Sequence, residues 1–326
     1  MTERIRTVLF GVGAIGAGIG RLAAERDEIE LAGAIDGAAD KAGTPLYDVL
    51  AVAPRAGAAN PPIVSDADEA LARIRPQLVL HATGSYLADV LPQLVACARA
   101  GANVVSTCEE LSYPWRRHPE LAKQLDAEAK AGGATVLGTG INPGFIMDTL
   151  AATISGVCQR VERIRVARIV DVSTRREQLQ RKVGVGLTIE EFRQRAATGR
   201  FGHVGLPESC WLLASALGWQ LESLEETLDP VVGADGRAAG QLQRAVAKAN
   251  GRTVIEATVR MSTDVDAARD EIEIDGTPPV RLVLEGGVPG DGATASVVLN
   301  AARRVVDHAP GLVTMLDLPP IAGRGV

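Results

Sequence analysis

The turn Gly11-Val12-Gly13-Ala14-Ile15-Gly16 constrains this chain more than any other stretch. It follows the apolar run Thr7-Val8-Leu9-Phe10 and leads into Ile15 to Arg26, where Ile15, Ile19 and Leu22 recur at helical spacing. Strand, glycine turn and helix in that order begin a βαβ unit of a parallel sheet. With 35 glycines in 326 residues the motif alone is weak, so its context decides. Asp36 closes the next apolar run, Ile29 to Ile35, twenty positions beyond Gly16. An acid there serves the adenosine ribose of a bound dinucleotide. Gly11 allows the tight turn, Gly13 lets the backbone approach a pyrophosphate, and Gly16 lets the helix lie close to the sheet. Gly11, Gly13, Ala14, Ile15, Gly16 and Asp36 are therefore the candidate cofactor contacts.

The acid favours NAD over NADP, since no arginine follows it to meet a 2′-phosphate and Lys41 is the only nearby cation. NAD is the expected cofactor, with NADP use left open. Leu78 to Ala82 reads as a further strand, and its carboxyl end runs into Ala82-Thr83-Gly84-Ser85. Strand ends of this kind border the cofactor in open α/β sheets, so Ala82, Thr83 and Gly84 are expected near the nicotinamide ribose.

Helices and strands alternate through the first half, with Leu87 to Ala100 and Pro119 to Ala131 helical and Asn103 to Thr107 and Ala134 to Leu137 extended. That pattern predicts a doubly wound α/β Rossmann domain over residues 1–150. After about residue 155 the texture changes. Val161 to Val172, Val254 to Met261 and Val280 to Leu284 alternate apolar and polar residues, as half-exposed antiparallel strands do. A capping box at Thr188 and Glu191 opens a helix to about Thr198, and Trp211 to Trp219 reads as an apolar helix. Residues 151–293 are thus expected to form an α+β substrate and dimerisation domain. The stretch from Thr294 to Leu316 reads as a helix, and residues 294–326 are expected to return to the first domain.

Composition narrows the function classes. A net charge of −6 argues against a nucleic-acid binder, whose affinity comes from cationic surface. No apolar stretch reaches the roughly 20 residues of a membrane span. Cys97, Cys108, Cys158 and Cys210 form no C-x-x-C pair, and free thiols in a cytoplasmic protein are expected. The scattered histidines give no metal-ligand spacing, so no metal is expected.

Groups for acid–base chemistry are few. The strand ending at Thr107 is followed by Cys108-Glu109-Glu110-Leu111-Ser112-Tyr113-Pro114. Two carboxylates at a strand end can cap the following helix, or one can cap while the other faces a substrate. Three further blocks bear on the choice: Gly138-Thr139-Gly140-Ile141-Asn142-Pro143-Gly144-Phe145-Ile146-Met147-Asp148, Gly202-His203-Val204-Gly205-Leu206 before Glu208-Ser209, and Ser173-Thr174-Arg175-Arg176 to Lys182-Val183-Gly184. With these blocks the chain resembles the 2,4-diaminopentanoate dehydrogenases and the related native amine dehydrogenases, distantly similar to dihydrodipicolinate reductase.

The resemblance implies reversible oxidation of an amine to a ketone and ammonia with NAD(P), and a glutamate facing the substrate amine. That glutamate matches Glu109 or Glu110, Glu109 being preferred. The chemistry agrees, because hydride loss from an amine leaves a cationic iminium that a nearby carboxylate stabilises. An alcohol dehydrogenase needs a donor toward an oxyanion instead. The His-His and Lys-x-Asp-x-Pro-Ser-Gly-Thr signature of the dihydrodipicolinate reductases is missing; the stretch runs Val172-Ser173-Thr174-Arg175-Arg176. The lysine of homoserine dehydrogenase-like proteins after this strand is also missing.

Asn142, Pro143, Phe145 and His203 are the candidate substrate contacts, with Asn142 and Cys108 also bordering the cofactor. Asn142-Pro143-Gly144 can be a plain turn, though the resemblance favours a functional one, and His203 can equally be a structural histidine. Arg175 and Arg176 could hold a substrate carboxylate, but solvated surface charge is the preferred reading. The expected protein is a cytoplasmic homodimer with its active site in the interdomain cleft, acting on a small amine or ketone with ammonia. A carbonyl or imine reductase that uses no ammonia, and an NAD-binding redox sensor without turnover, are the rival readings.

Overall fold

The computed structural model describes residues 4–175 and 177–325. The chain divides into two compact units, Met1–Phe145 with Gly290–Val326, and Ile146–Pro289. In the first, β1 (Ile5–Phe10), α1 (Ala14–Ala24) and β2 (Ile29–Ile35) are followed by α2 (Leu46–Leu50), β3 (Ile63–Val64) and α3 (Ala67–Ile74). Then come β4 (Leu78–His81), α4 (Leu87–Arg99), β5 (Asn103–Ser106), a 3-10 turn at Glu109–Ser112, α5 (Pro119–Gly132) and β6 (Thr135–Gly138). The second unit holds α6 (Thr149–Ser155), β7 (Arg160–Asp171), α7 (Glu177–Lys182), α8 (Ile189–Ala196), α9 (Leu206–Ala216), β8 (Ser223–Val232), β9 (Ala238–Ala249), β10 (Arg252–Ser262), β11 (Arg269–Thr277) and β12 (Val280–Glu285). The chain re-enters the first unit with α10 (Gly290–Val306) and β13 (Gly311–Val313).

The first sheet has the order β13-β6-β5-β4-β1-β2-β3, every paired strand parallel. Both faces are covered, which is why its strands are unbroken apolar runs. Leu9, Leu80, Val105 and Leu137 pack into the core that α1 and α10 close, while Val8, Val79, Val104 and Val136 join the opposite core with residues of α4 and α5. The strand order reverses between β1 and β4, which makes this the switch point of a Rossmann sheet and the carboxyl ends its ligand side.

The second sheet runs β12-β11-β7-β10-β9-β8. It is mixed. β7 was expected to be antiparallel; it pairs antiparallel with β11 but parallel with β10. Its alternation holds because only one face is covered, with Ile164, Val166 and Arg168 buried. The Thr188–Glu191 capping box is present, and it opens α8. The apolar helix expected from Trp211 begins earlier, at Leu206, behind Gly205 with Pro207 in its first turn. The terminal helix expected to continue to Leu316 stops at Val306. Pro310 has no N–H to extend a helix, and Gly311, at φ +143°, turns the chain into β13 beside β6.

Among the described residues no helix is long and apolar enough to cross a membrane, and no group of three or more His, Cys, Asp or Glu could hold a metal ion.

Candidate active site

The glycine turn is built as its sequence demands. Gly11 has φ +91°, and a Cβ there would run into the carbonyl of Ala82. A Cβ on Gly16 would meet the Gly11 carbonyl, so α1 can lie this close to β1 only with glycine at that position. Gly13, the N-cap of α1, differs from both: a Cβ there meets nothing within 4 Å. The space its missing side chain leaves, beside the exposed first residues Gly13 and Ala14, is where a pyrophosphate can reach the helix N-terminus. The first turn of α1 carries no acid to compete for it. These features fit a dinucleotide.

Asp36 stands at the end of β2. Its Oδ2 accepts hydrogen bonds from Val12 N (2.7 Å) and Lys41 Nζ (2.9 Å), and its Oδ1 from Ala38 N (2.9 Å). Burial works against the carboxylate charge, but the bonds from Lys41, Ala38 and Val12 outweigh it and hold the group below the ordinary carboxylate range. Lys41 also donates to Val12 O at 3.0 Å. In the sequence this lysine stands only as a nearby cation; its bond to Asp36 is visible in the fold alone.

The loops after β4 and β5 are tied to one another. His81, fully buried, has Nδ1 2.8 Å from Ser106 Oγ and Nε2 2.9 Å from both Gln93 Oε1 and Thr83 Oγ1. Burial pushes this ring down to about 4, so it is neutral. Ser85 O accepts from Glu110 N (3.2 Å) and Cys108 Sγ (3.3 Å). Thus Ala82, Thr83, Gly84 and Cys108 form one braced rim along the carboxyl ends of β4 and β5. His81 and Ser106 carry no mark of this in the sequence, where they look like ordinary strand residues.

The two neighbouring acids differ sharply. Glu110 is buried, its Oε2 accepting from Leu87 N, the first N–H of α4, and from His118 Nε2, each at 2.8 Å. Its Oε1 lies 3.7 Å from Arg117 Nε. It does cap a helix, though the one before it in the chain and not the one after. Glu109 begins the 3-10 turn and is half-buried. Burial, and next the charge of Glu109, push the Cys108 thiol well up, so Cys108 is no nucleophile.

Asn142 and Pro143 are joined by a cis peptide in the turn after β6, and Gly144, at φ +125°, folds that turn back toward Gly140. Thr139, buried at the same strand end, has a hydroxyl without a hydrogen-bond partner. Gly11, Asp36, Ala82, Thr83, Gly84, Cys108, Glu109, Asn142, Pro143 and Phe145 all belong to the first unit, at or beyond the carboxyl ends of its strands. His203 belongs to the second, where its N donates to Gln243 Oε1 (2.9 Å) and its O accepts from Gln243 Nε2 (2.7 Å). Desolvation, then the charges of Arg168 and Lys182, push its ring down to about 3, so the ring is uncharged near neutrality. Arg175 lies half-buried after β7, and Arg176 falls outside the described residues.

A family model described as the 2,4-diaminopentanoate dehydrogenase C-terminal domain matches residues 145–324. The chain is 30% identical over 334 aligned residues to a 2,4-diaminopentanoate dehydrogenase from Acetoanaerobium sticklandii, covering 97% of this chain and 94% of that one. It is 25% identical to an amine dehydrogenase from Streptomyces virginiae over 80% of this chain and 82% of the relative. The solved structure of an amine dehydrogenase from Mycobacterium smegmatis superposes with a TM-score of 0.86 at 27% identity, covering 99% of this chain and 98% of that one.

Proposed function

The chain belongs to the 2,4-diaminopentanoate dehydrogenase family, and from that membership we propose an NAD(P)-dependent amine dehydrogenase in which Glu109 attends the reacting nitrogen. The reaction is reversible oxidation of a CH–NH2 group to a ketone and ammonia. The observation that carries the assignment of Glu109 is the commitment of Glu110 to Leu87 and His118. One acid is a cap; its neighbour at the end of β5 is the candidate for chemistry.

Gly11, Gly13, Ala14, Ile15 and Gly16 hold the pyrophosphate, and Asp36 the adenosine ribose. Ala82, Thr83, Gly84, Cys108 and Asn142 border the nicotinamide end. A nicotinamide held there would supply the acceptor for a hydride from the amine carbon. Hydride loss leaves positive charge on nitrogen, and a carboxylate already in place stabilises it without reorganisation. Glu109 also takes a proton from the substrate ammonium and releases it to solvent before hydride transfer, so that a neutral amine reacts beside a carboxylate. It takes a proton again when water adds to the iminium and gives that proton to the departing nitrogen. Pro143 and Phe145, in the turn after β6, are the proposed substrate contacts of the first unit, and His203 is a proposed substrate contact carried by the second. Four free thiols suit a reducing cytoplasm.

The test is oxidation of NADH with a panel of small ketones, with and without ammonium. Turnover that requires ammonium supports the proposal. Equal turnover without it identifies a carbonyl reductase, and nucleotide binding without turnover across matched amines and ketones identifies a sensor.

A further inference from the structure

Asp36 has more donors than a ribose-binding acid can keep. A carboxylate offers about four lone-pair sites, and Val12 N, Ala38 N and Lys41 Nζ already occupy three. Gripping the two hydroxyls of a ribose takes two sites, so one present donor must leave. Two of the three are backbone N–H groups held by the glycine turn and by the chain after β2. Lys41 alone sits on a flexible arm. Its side chain is 25% exposed, and an ammonium has three donors of which Asp36 and Val12 O use two.

The surroundings show where the arm can go. Gly37 and Gly13 both have open space where a Cβ would stand, with nothing within 4 Å, so no side chain of either closes the region beside the carboxylate. A bare Asp36 would repel a 2′-phosphate placed there. With Lys41 on it, the pair is neutral overall, and the ammonium stands 2.9 Å from the carboxylate that a ribose 2′-oxygen would face.

We propose that Lys41 decides whether this chain accepts a 2′-phosphorylated dinucleotide, resting on Asp36 in the free protein, yielding to the ribose hydroxyls of NAD and moving onto the 2′-phosphate of NADP. This rests on the reading that the Gly11–Gly16 turn holds a nicotinamide dinucleotide. Lys41 is then a specificity residue, and Asp36 does not by itself exclude NADP.

The test is direct binding to the full chain, with NADH and NADPH followed by fluorescence and ADP and 2′,5′-adenosine bisphosphate by calorimetry. In Lys41→Ala, affinity for NADPH and for the bisphosphate falls about ten- to a hundred-fold, the worth of one charge-assisted contact. Affinity for NADH and ADP stays within about threefold, and Lys41→Arg recovers the NADPH loss. Equal loss for both nucleotides in Lys41→Ala, no loss for NADPH, or a wild-type chain that binds NADH but not NADPH overturns the inference and leaves the cofactor site standing. Binding of neither nucleotide by the wild-type chain overturns both.

Discussion

Glu110 holds the ring of His118 at 2.8 Å and caps the first N–H of α4 with the same oxygen. Those two bonds pin the turn after β5 to two other parts of its unit and commit one of two adjacent acids to holding the fold. Replacing Glu110 by Ala leaves the buried N–H of Leu87 without its acceptor and should cost about 1–3 kcal/mol, read as a lowered denaturant midpoint. Residual hydride-transfer activity in the folded fraction is expected.

The three glycines of the turn should separate in their effects. Gly16→Ala drives a Cβ into the Gly11 carbonyl, and Gly11→Ala combines a clash with φ +91°. Both should lower the melting temperature. Gly13 has φ −77° and open space around it, so Gly13→Val should melt like the wild type yet bind NADH at least about tenfold more weakly. Calorimetric melting beside nucleotide titration checks the split.

The His81 ring titrates near 4 in the folded chain against 6.5 when unfolded, because burial disfavours its cation. Its contribution is complete above pH 6.5 and is lost as pH falls toward 4, since the unfolded chain binds the extra proton over that window. The expected slope is about 1.4 kcal/mol per pH unit from this one group. His81→Asn should flatten the unfolding free energy by that amount between pH 6 and 4.5, measured by urea titration, values that lie inside the window set by the two pKa values.

Arg168 and Asp270, partners across β7 and β11, form an ion pair at 2.9 Å with side chains 5% and 1% exposed. Desolvation opposes both charges, lowering the Arg168 pKa and raising that of Asp270. Val288 bonds to both, its O accepting from Arg168 Nη2 at 2.7 Å and its N donating to Asp270 Oδ2 at 2.8 Å. Asp270→Ala strands a buried guanidinium and should cost about 3–5 kcal/mol. Paired replacement of both by apolar residues should recover much of that in the same denaturant assay.

What could be read from the sequence follows the range of the forces involved. The strands β1, β2, β4, β5 and β6 and the glycine turn are local patterns of burial and backbone freedom, and they stand where they are expected; β3 and β13, only two and three residues long, carry no such pattern. β9 hid because its covered face carries Gln241, Gln243, Ala245 and Ala247, small or polar residues that give no apolar alternation. α3 does carry a signal in the sequence: Asp66 caps the N–H of Glu69, the spacing an N-cap requires. Glu109 and Glu110 are indistinguishable locally. Their difference comes from Leu87, a partner 23 residues away, which only the folded chain brings to one of them. The Lys41 lock on Asp36 spans five positions, yet a lysine there reads as surface charge until its carboxylate is seen.

The measurement that bears most directly on the account is the rate of NADH formation from a saturating amine in Glu109→Gln, with NADH affinity measured on the same preparation. Glutamine keeps the shape and removes the charge. The expected result is a fall in kcat of about 10²–10⁴-fold with NADH affinity unchanged. Turnover within a few-fold of wild type would contradict a role for Glu109 at the reacting nitrogen.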